Sequence, residues 1–357
     1  MSRIMGRWVL GGAAAGMAVI GLVFVGTNGD AIAAPPAVVA ATPNGGTTAS
    51  PPMPMPMPMP MPMNMAMPTD SIGKYDVKNE SDAMFFGTVL RGSNEVPSKM
   101  QPAGGDKDGS GTSLVRIQGN QVSYAFTWTG IGAPTSGHIH QGPAGVNGAV
   151  KIPFFGTKLP DGRTSVVGTV TVNDPDLLAN IKSHPEQFYV NLHTADFPDG
   201  AMRGQLHAMP VQLNLQKAIN QDQNHPVVEG DQIYSCTRQE ADGSFKFTPV
   251  NVDTMLTGGI QHTFVKPGPG GPPQWVAPDN SAVTGKAVDT IYNGANNIPE
   301  LVLAATQSGA PDGQLSSTHA ILRLDTIGGV APAGTCDPMT QAVTAVPYSA
   351  DYLFINS

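Results

Sequence analysis

The sequence predicts an all-β protein with two domains. Its 357 residues include 42 glycines and 33 prolines, and only 13% are charged, so few stretches are long enough for helices. Between Val122 and Trp128, apolar residues occupy alternate positions, as they do in a strand that buries one face. These features predict an N-terminal antiparallel, Greek-key-like β-sandwich followed by a second β-rich domain.

Residues 1–34 have the layout of a signal peptide. Arg3 and Arg7 precede an apolar run that starts at Trp8, and the small residues around Ala33 suit cleavage. We therefore expect the protein to be exported, into the cell envelope or the medium. The run of about 18 apolar residues is also long enough to remain as a membrane anchor, so cleavage and retention are both open.

Residues 35–80 form a low-complexity segment rich in proline and methionine. Eight methionines lie between Met53 and Met67, mostly alternating with prolines, which predicts an extended polyproline-type linker. Thioethers are soft ligands that favour Cu(I). The segment is therefore either a stiff spacer or a tether that gathers copper.

Residues 81–208 carry strand signals in succession and form the first predicted domain. Asp174 and Pro175 provide a polar cap and a first-turn proline, which predict a short helix. A turn is expected at Gly119. The predicted strands cover residues 84–90, 111–117, 122–128, 166–172 and 188–193.

Three histidines in this domain have the spacing of metal ligands. His138 and His140 are two residues apart in a predicted strand, so their side chains point to the same face. If the strand that bears His193 runs alongside, a third imidazole joins them and leaves an open coordination position, as copper or zinc requires. The alternative is that these are ordinary packing or turn histidines.

The first domain also carries the motifs of a known family. They are, in order, Leu90–Pro97, Gly137–His140, Gly145–Gly148, Phe188–Thr194, Phe197–Gly200 and Arg203–Leu206. Together they resemble the CHRD domain, which is named after chordin and is common in secreted bacterial proteins. The resemblance implies a secreted β-rich module and no particular activity.

A second resemblance concerns chemistry. The three histidines and the turn that ends at Arg203 resemble the copper half of copper-zinc superoxide dismutases. This resemblance implies that His138, His140 and His193 bind copper and that Arg203 steers an anion toward it. The sequence departs from that family because it has no His- and Asp-rich zinc loop before His193, only His184.

Other polar residues of this domain have simpler interpretations. Arg203 is equally able to pair with Asp199 or Asp196 and stabilise a turn. Glu95 is expected to accept hydrogen bonds from backbone amides at a strand edge. His207 is expected to be a solvated histidine at the end of the domain, with completion of the metal shell as the alternative.

Residues 209–224 are predicted to be a linker, and residues 225–357 a second β-rich domain. The second domain holds both cysteines of the chain, Cys236 and Cys336, and in an exported protein such a pair predicts a disulfide. Neither cysteine has a Cys or His neighbour at ligand spacing, which disfavours a thiolate metal site. The segments from Gln232 to Tyr352 resemble a secreted family of bacteria and fungi that carries only a domain-of-unknown-function label.

A possible ligand pocket is predicted in the second domain. His262, Trp275 and Asp279, with His319, combine an aromatic ring with polar groups, as many ligand sites do. The alternative is that they are packing and turn residues.

The function classes that remain are few. A formal net charge of −8 disfavours a nucleic-acid partner, and no nucleophile motif, phosphate-binding loop or carboxylate pair stands out. Membrane contact is expected only through an uncleaved N-terminal segment. Three hypotheses follow: a copper-binding module for storage, delivery or redox protection; a superoxide-dismutase-like copper enzyme; and an adhesion module that binds an extracellular protein or carbohydrate without metal.

Overall fold

The structure is a computed structural model that describes residues 82–219 and 223–356. The predicted signal peptide (1–34) and the Pro/Met-rich linker (35–80) lie outside the described residues. Within the described ranges the protein is all-β with two short α-helices, which confirms the predicted class. Neither helix there is long and apolar enough to span a membrane.

The first domain is one antiparallel sheet that curls around a core. The strands follow the order β5-β4-β7-β8-β1-β2-β3-β6, and β9 pairs with β1. The connections β3 to β4 and β6 to β7 cross between the two halves of this order, which gives a Greek-key arrangement. Strands β5 and β6, at the two ends of the order, contact each other. The elements are β1 (Met84–Arg91), β2 (Ser110–Gln118), β3 (Gln121–Thr129), β4 (Ser136–Gln141), β5 (Ala149–Phe155), β6 (Ser165–Thr171), α1 (Pro175–Ser183), β7 (Phe188–His193), β8 (Met202–Gln205) and β9 (His207–Met209).

Local sequence explains how these elements begin and end. The β2–β3 hairpin turns at Gly119, whose φ of 55° suits a residue without a Cβ. Helix α1 starts where predicted, because the Asp174 carboxylate accepts the Leu177 N–H at 2.9 Å and Pro175 occupies the first turn. Alternate residues of β3, from Val122 to Trp128, are buried in the domain core as the pattern predicted.

The second domain is a closed antiparallel barrel of eight strands in sequence order. A disulfide joins Cys236 of the first strand to Cys336 in the loop before the last, with a Cα–Cα distance of 5.8 Å, so the predicted disulfide is confirmed. The strands are β10 (Gln223–Arg238), β11 (Phe245–Leu256), β12 (Gln261–Phe264), β13 (Pro273–Val276), β14 (Ala282–Ile291), β15 (Glu300–Gln307), β16 (Thr318–Gly328) and β17 (Val343–Asn356).

The segment predicted as a linker, residues 209–224, contributes to a core between the two domains. It contains helix α2 (Leu215–Ile219), whose apolar side chains are buried. The cluster that they join includes Phe85 of β1 and Leu322 of the barrel. Apolar burial therefore connects the two domains along this segment.

Polar pairs also cross between the domains. The Arg91 guanidinium donates two hydrogen bonds to the Asp351 carboxylate, one of them at 2.9 Å from Nε. The amide of Asn94 donates to Asp325 at 2.9 Å. Both pairs join a side chain of the first domain to a carboxylate of the barrel.

Candidate metal centre

Strand pairing brings the three predicted histidines together. Strand β4 runs antiparallel to β7, with His138 opposite Asn191 and Ser136 opposite His193. Because side chains alternate across a sheet, His138, His140 and His193 all lie on one face. One nitrogen from each ring lies within 4.8 Å of the others, so the three rings converge on one place.

The outer hydrogen bonds orient two of the rings. The Nδ1–H of His140 donates to the carbonyl of Gly148 at 3.0 Å, and the Nδ1–H of His193 donates to the carbonyl of Pro198 at 2.8 Å. A carbonyl can only accept, so the Nε2 atom of each ring carries a lone pair. These bonds are the anchors that metal-binding imidazoles usually have. They leave the lone pairs of two rings directed into the cluster.

The third ring, that of His138, contacts the His193 ring directly. Nδ1 of His138 lies 3.0 Å from Nε2 of His193, and His138 is fully buried. The Nε2 atoms of His138 and His140 are buried without a hydrogen-bond partner. Buried polar atoms without partners are costly, and they cluster here where a metal ion would satisfy them.

Burial keeps the imidazoles neutral. Desolvation lowers the pKa of His140 to about 4, lowers the pKa of His193, and lowers the pKa of His138 well below its ordinary value. The neighbouring imidazoles add to this effect at His138. Neutral rings are the form that binds a metal ion, so at neutral pH no proton has to leave before ligation.

The loop that follows β4 holds the outer partner of His140. A side chain at Gly148 would place its Cβ 1.7 Å from the carbonyl oxygen of Gln141, so only glycine lets this loop fold back over the strand. The guanidinium of Arg203 fixes the loop from β8, donating to the carbonyls of Val146 at 3.0 Å and Pro143 at 2.8 Å. The sequence therefore builds this loop around the Nδ1 partner of His140.

Arg203 is part of this packing. It is fully buried, and its guanidinium carbon lies 3.4 Å from the centre of the Tyr189 ring. The Tyr189 ring also stacks on His140, at 4.8 Å between ring centres. Asp199, one of the two acids considered as partners for Arg203, accepts a hydrogen bond from the Ser98 hydroxyl.

Two polar residues behind the histidines were not assigned to the site from the sequence. Asn191 is 1% exposed and its Oδ1 lies 3.1 Å from Nε2 of His193. Glu95 is 6% exposed, and its Oε1 is buried without a hydrogen-bond partner. Burial raises the pKa of Glu95 to about 7, against the opposing effects of Arg203 and Asn191. A Cβ at position 200 would lie 2.3 Å from the Glu95 carboxylate, so the carboxylate can pack against the backbone here only because residue 200 is glycine.

The position of Asn191 could have been predicted from the alternation of side chains along a strand. It stands two residues before His193 in the same strand and therefore shares its face. Glu95 had no such signal, because it lies in a loop after β1 and reaches Asn191 only through tertiary packing.

His207 lies outside the cluster. Its prediction as a solvated histidine is wrong, because it is 4% exposed and its Nε2 lies 3.1 Å from the Glu300 carboxylate of the barrel. Strand β9 pairs with β1 and carries His207 into the contact between the domains.

The residues of the predicted second pocket have separate positions in the barrel. The rings of His262 and Trp275 stack at 4.2 Å in the core, and the Nδ1–H of His262 donates to the Gln274 carbonyl at 2.9 Å. Asp279 lies in a turn, where it accepts from Ser281 and from the backbone of Gln314. The fourth candidate, the histidine at position 319, is exposed. The structure thus brings His262 and Trp275 together as packing partners and leaves Asp279 in a structural turn.

Comparisons with known proteins identify both domains. Residues 86–206 match the CHRD domain, and residues 249–356 match a family described as protein of unknown function (DUF3455). The chain therefore contains a CHRD domain followed by a DUF3455 domain, as both resemblances predicted. No curated protein and no solved structure matches the chain.

Proposed function

We propose that this protein is an exported copper-binding protein whose CHRD domain holds one copper ion through His138, His140 and His193. The observation that carries the proposal is the convergence of three neutral imidazoles within 4.8 Å, two of them anchored at their outer nitrogens. Imidazole donors suit copper and zinc alike, and the order of divalent affinities favours copper over zinc at the same nitrogen site.

The burial of the site favours holding the ion over turning over a substrate. His138 is fully buried, and His140 and His193 are each 7% exposed. A catalytic copper needs a coordination position that solvent and substrate reach. Arg203, whose steering of an anion the superoxide-dismutase resemblance implied, is 1% exposed and holds the loop around His140. Storage, delivery or protection from redox-active copper is therefore the role that we propose.

The Met-rich segment extends this proposal. Thioethers bind Cu(I), and an exported chain with methionines ahead of a histidine site has two kinds of copper ligand. We propose that residues 53–67 gather Cu(I) and that the histidine cluster retains the ion. The segment lies outside the described residues, so its contribution is to be separated by deletion.

Metal content per chain tests the proposal. Protein that begins at residue 35 is incubated with copper and zinc together, freed of unbound metal, and measured by plasma mass spectrometry. We expect about one copper per chain in a variant that lacks residues 53–67, and none in that variant when the three histidines are also changed to alanine. The matched control changes the exposed His184 and His319 to alanine and should retain the ion. Far-ultraviolet circular dichroism confirms that each variant is folded.

Equal copper in the cluster variant and its parent would refute the histidine site. Zinc in place of copper would refute the choice of metal. If neither metal is bound, the adhesion module becomes the working hypothesis for this domain.

A further inference from the structure

The buried acceptors of the histidine cluster include an amide oxygen. Nε2 of His193 lies 3.1 Å from Oδ1 of Asn191 and 3.0 Å from Nδ1 of His138. Since the Nδ1–H of His193 is donated to Pro198, its Nε2 has one lone pair and no proton. That lone pair can accept a hydrogen bond from Nδ1–H of His138, but Nε2 of His193 has no hydrogen to donate to Asn191.

The contact between Asn191 and His193 therefore joins two acceptors. Two lone pairs 3.1 Å apart in a buried site repel each other unless a positive centre lies beside both. Nε2 of His140, also without a partner, belongs to the same group of acceptors. Oxygen and nitrogen atoms that carry lone pairs but no hydrogen, and that converge on one place, are the ligands of a cation site.

Rotating the amide of Asn191 by 180° would replace this repulsion with an N–H···N hydrogen bond. The structure has the other orientation, with Oδ1 at 3.1 Å from Nε2 of His193. The amide NH₂ is therefore directed away from this ring, and Oδ1 is the end that faces the histidines.

The separation of the amide oxygen from the ring nitrogen agrees with shared coordination. Donor atoms about 2.0 Å from a four-coordinate ion are about 3.3 Å from one another in a tetrahedral arrangement. The 3.1 Å between Oδ1 of Asn191 and Nε2 of His193 is close to that edge length.

We propose that Oδ1 of Asn191 is a fourth protein donor, so that three imidazoles and one amide oxygen close the site to external ligands. This inference rests on the proposed copper site. It explains why an Asn rather than an apolar residue occupies a position 1% exposed on the face of the histidines. It also supports retention of the ion over reaction at it, because four protein donors in a buried site restrict the approach of a small oxidant.

Azide binding tests the fourth donor. The full chain is loaded with Cu²⁺ and titrated with sodium azide, while the electron paramagnetic resonance spectrum and the azide-to-copper charge-transfer absorption are followed. Azide should leave the wild-type spectra unchanged at concentrations that fully convert Asn191→Leu, in which the fourth position is open. Asn191→Asp, which retains an oxygen donor, should resist azide as the wild type does. Asn173→Leu, at an exposed asparagine, is the matched control and should also resist.

The outcomes separate the two proposals. A copper-loaded wild type that takes up azide refutes the fourth donor and leaves the three-histidine site standing, whether or not Asn191→Leu folds. Identical azide responses of the wild type and a folded Asn191→Leu variant refute it as well. A wild type that binds no copper refutes the proposed function together with this inference.

Discussion

Replacement of Asp325 by asparagine should stabilise the protein at alkaline pH. The Asp325 carboxyl lies at the contact between the domains, where Oδ1 accepts from Asn94 and Oδ2 is enclosed without a partner. Burial raises its pKa to about 7, and the carboxylates of Asp351 and Glu300 add repulsion. The charged form of Asp325 is therefore unfavourable in the folded state.

The size and sign of the effect follow from linkage. A rise of the pKa from 3.8 to about 7 corresponds to at most about 4 kcal/mol, at about 1.4 kcal/mol for each tenfold change in proton affinity. Between these two values the folded protein binds the proton more strongly than the unfolded chain does. The stability that Asp325 contributes in its protonated form is therefore lost as the pH rises from about 4 to about 7, and it is absent above that range.

The assay is urea denaturation of the wild type and of Asp325→Asn at pH 5 and pH 8. Asparagine has the same shape, cannot ionise, and tolerates the positive φ of 50° at this position. We expect the variant to be more stable than the wild type at pH 8, by a few kcal/mol at most, and the difference to shrink at pH 5. Glu95, whose pKa is also about 7, contributes pH dependence to both proteins, so the difference between them isolates Asp325. Asp161→Asn, at an exposed carboxylate, is the control. A difference that does not change between pH 5 and pH 8 would refute the reasoning.

Three further changes probe the parts that support the site. Changing Cys236 and Cys336 to serine removes a cross-link that spans 100 residues and should cost about 4–5 kcal/mol in urea unfolding; a cost below about 1 kcal/mol would contradict the loop-closure argument. Arg91→Ala leaves the buried Asp351 carboxylate unpaired and should cost about 2–3 kcal/mol, with faster proteolysis between the domains; unchanged proteolysis would argue against a specific domain contact. Asp174→Ala removes a helix cap and should cost about 1 kcal/mol, measured by thermal unfolding, without changing the metal content.

Local patterns in the sequence were sufficient to predict several elements of the fold. The alternation between Val122 and Trp128 predicted β3, and the same rule placed His138 and His140 on one face. The cap at Asp174 predicted the start of α1. These predictions succeeded because strand faces and helix caps are set by residues close together in the chain.

The remaining features depend on contacts between distant residues. Glu95 and Asn191 meet through the packing of the loop after β1 against β7, and no periodicity carries that information. His207 is buried because the barrel covers it, so the prediction that it is solvated was wrong. The closure of eight strands into a barrel depends on the pairing of β10 with β17, which local strand signals do not specify.

The nearest neighbours of the bound copper give the most direct test of the account. X-ray absorption at the copper edge of the loaded full chain should show nitrogen and oxygen neighbours at about 2.0 Å, with the outer-shell scattering of about three imidazoles. The same spectrum should persist when residues 53–67 are deleted. A shell dominated by sulfur at about 2.3 Å, lost on that deletion, would place the copper on the methionines and contradict the histidine site formed by His138, His140 and His193.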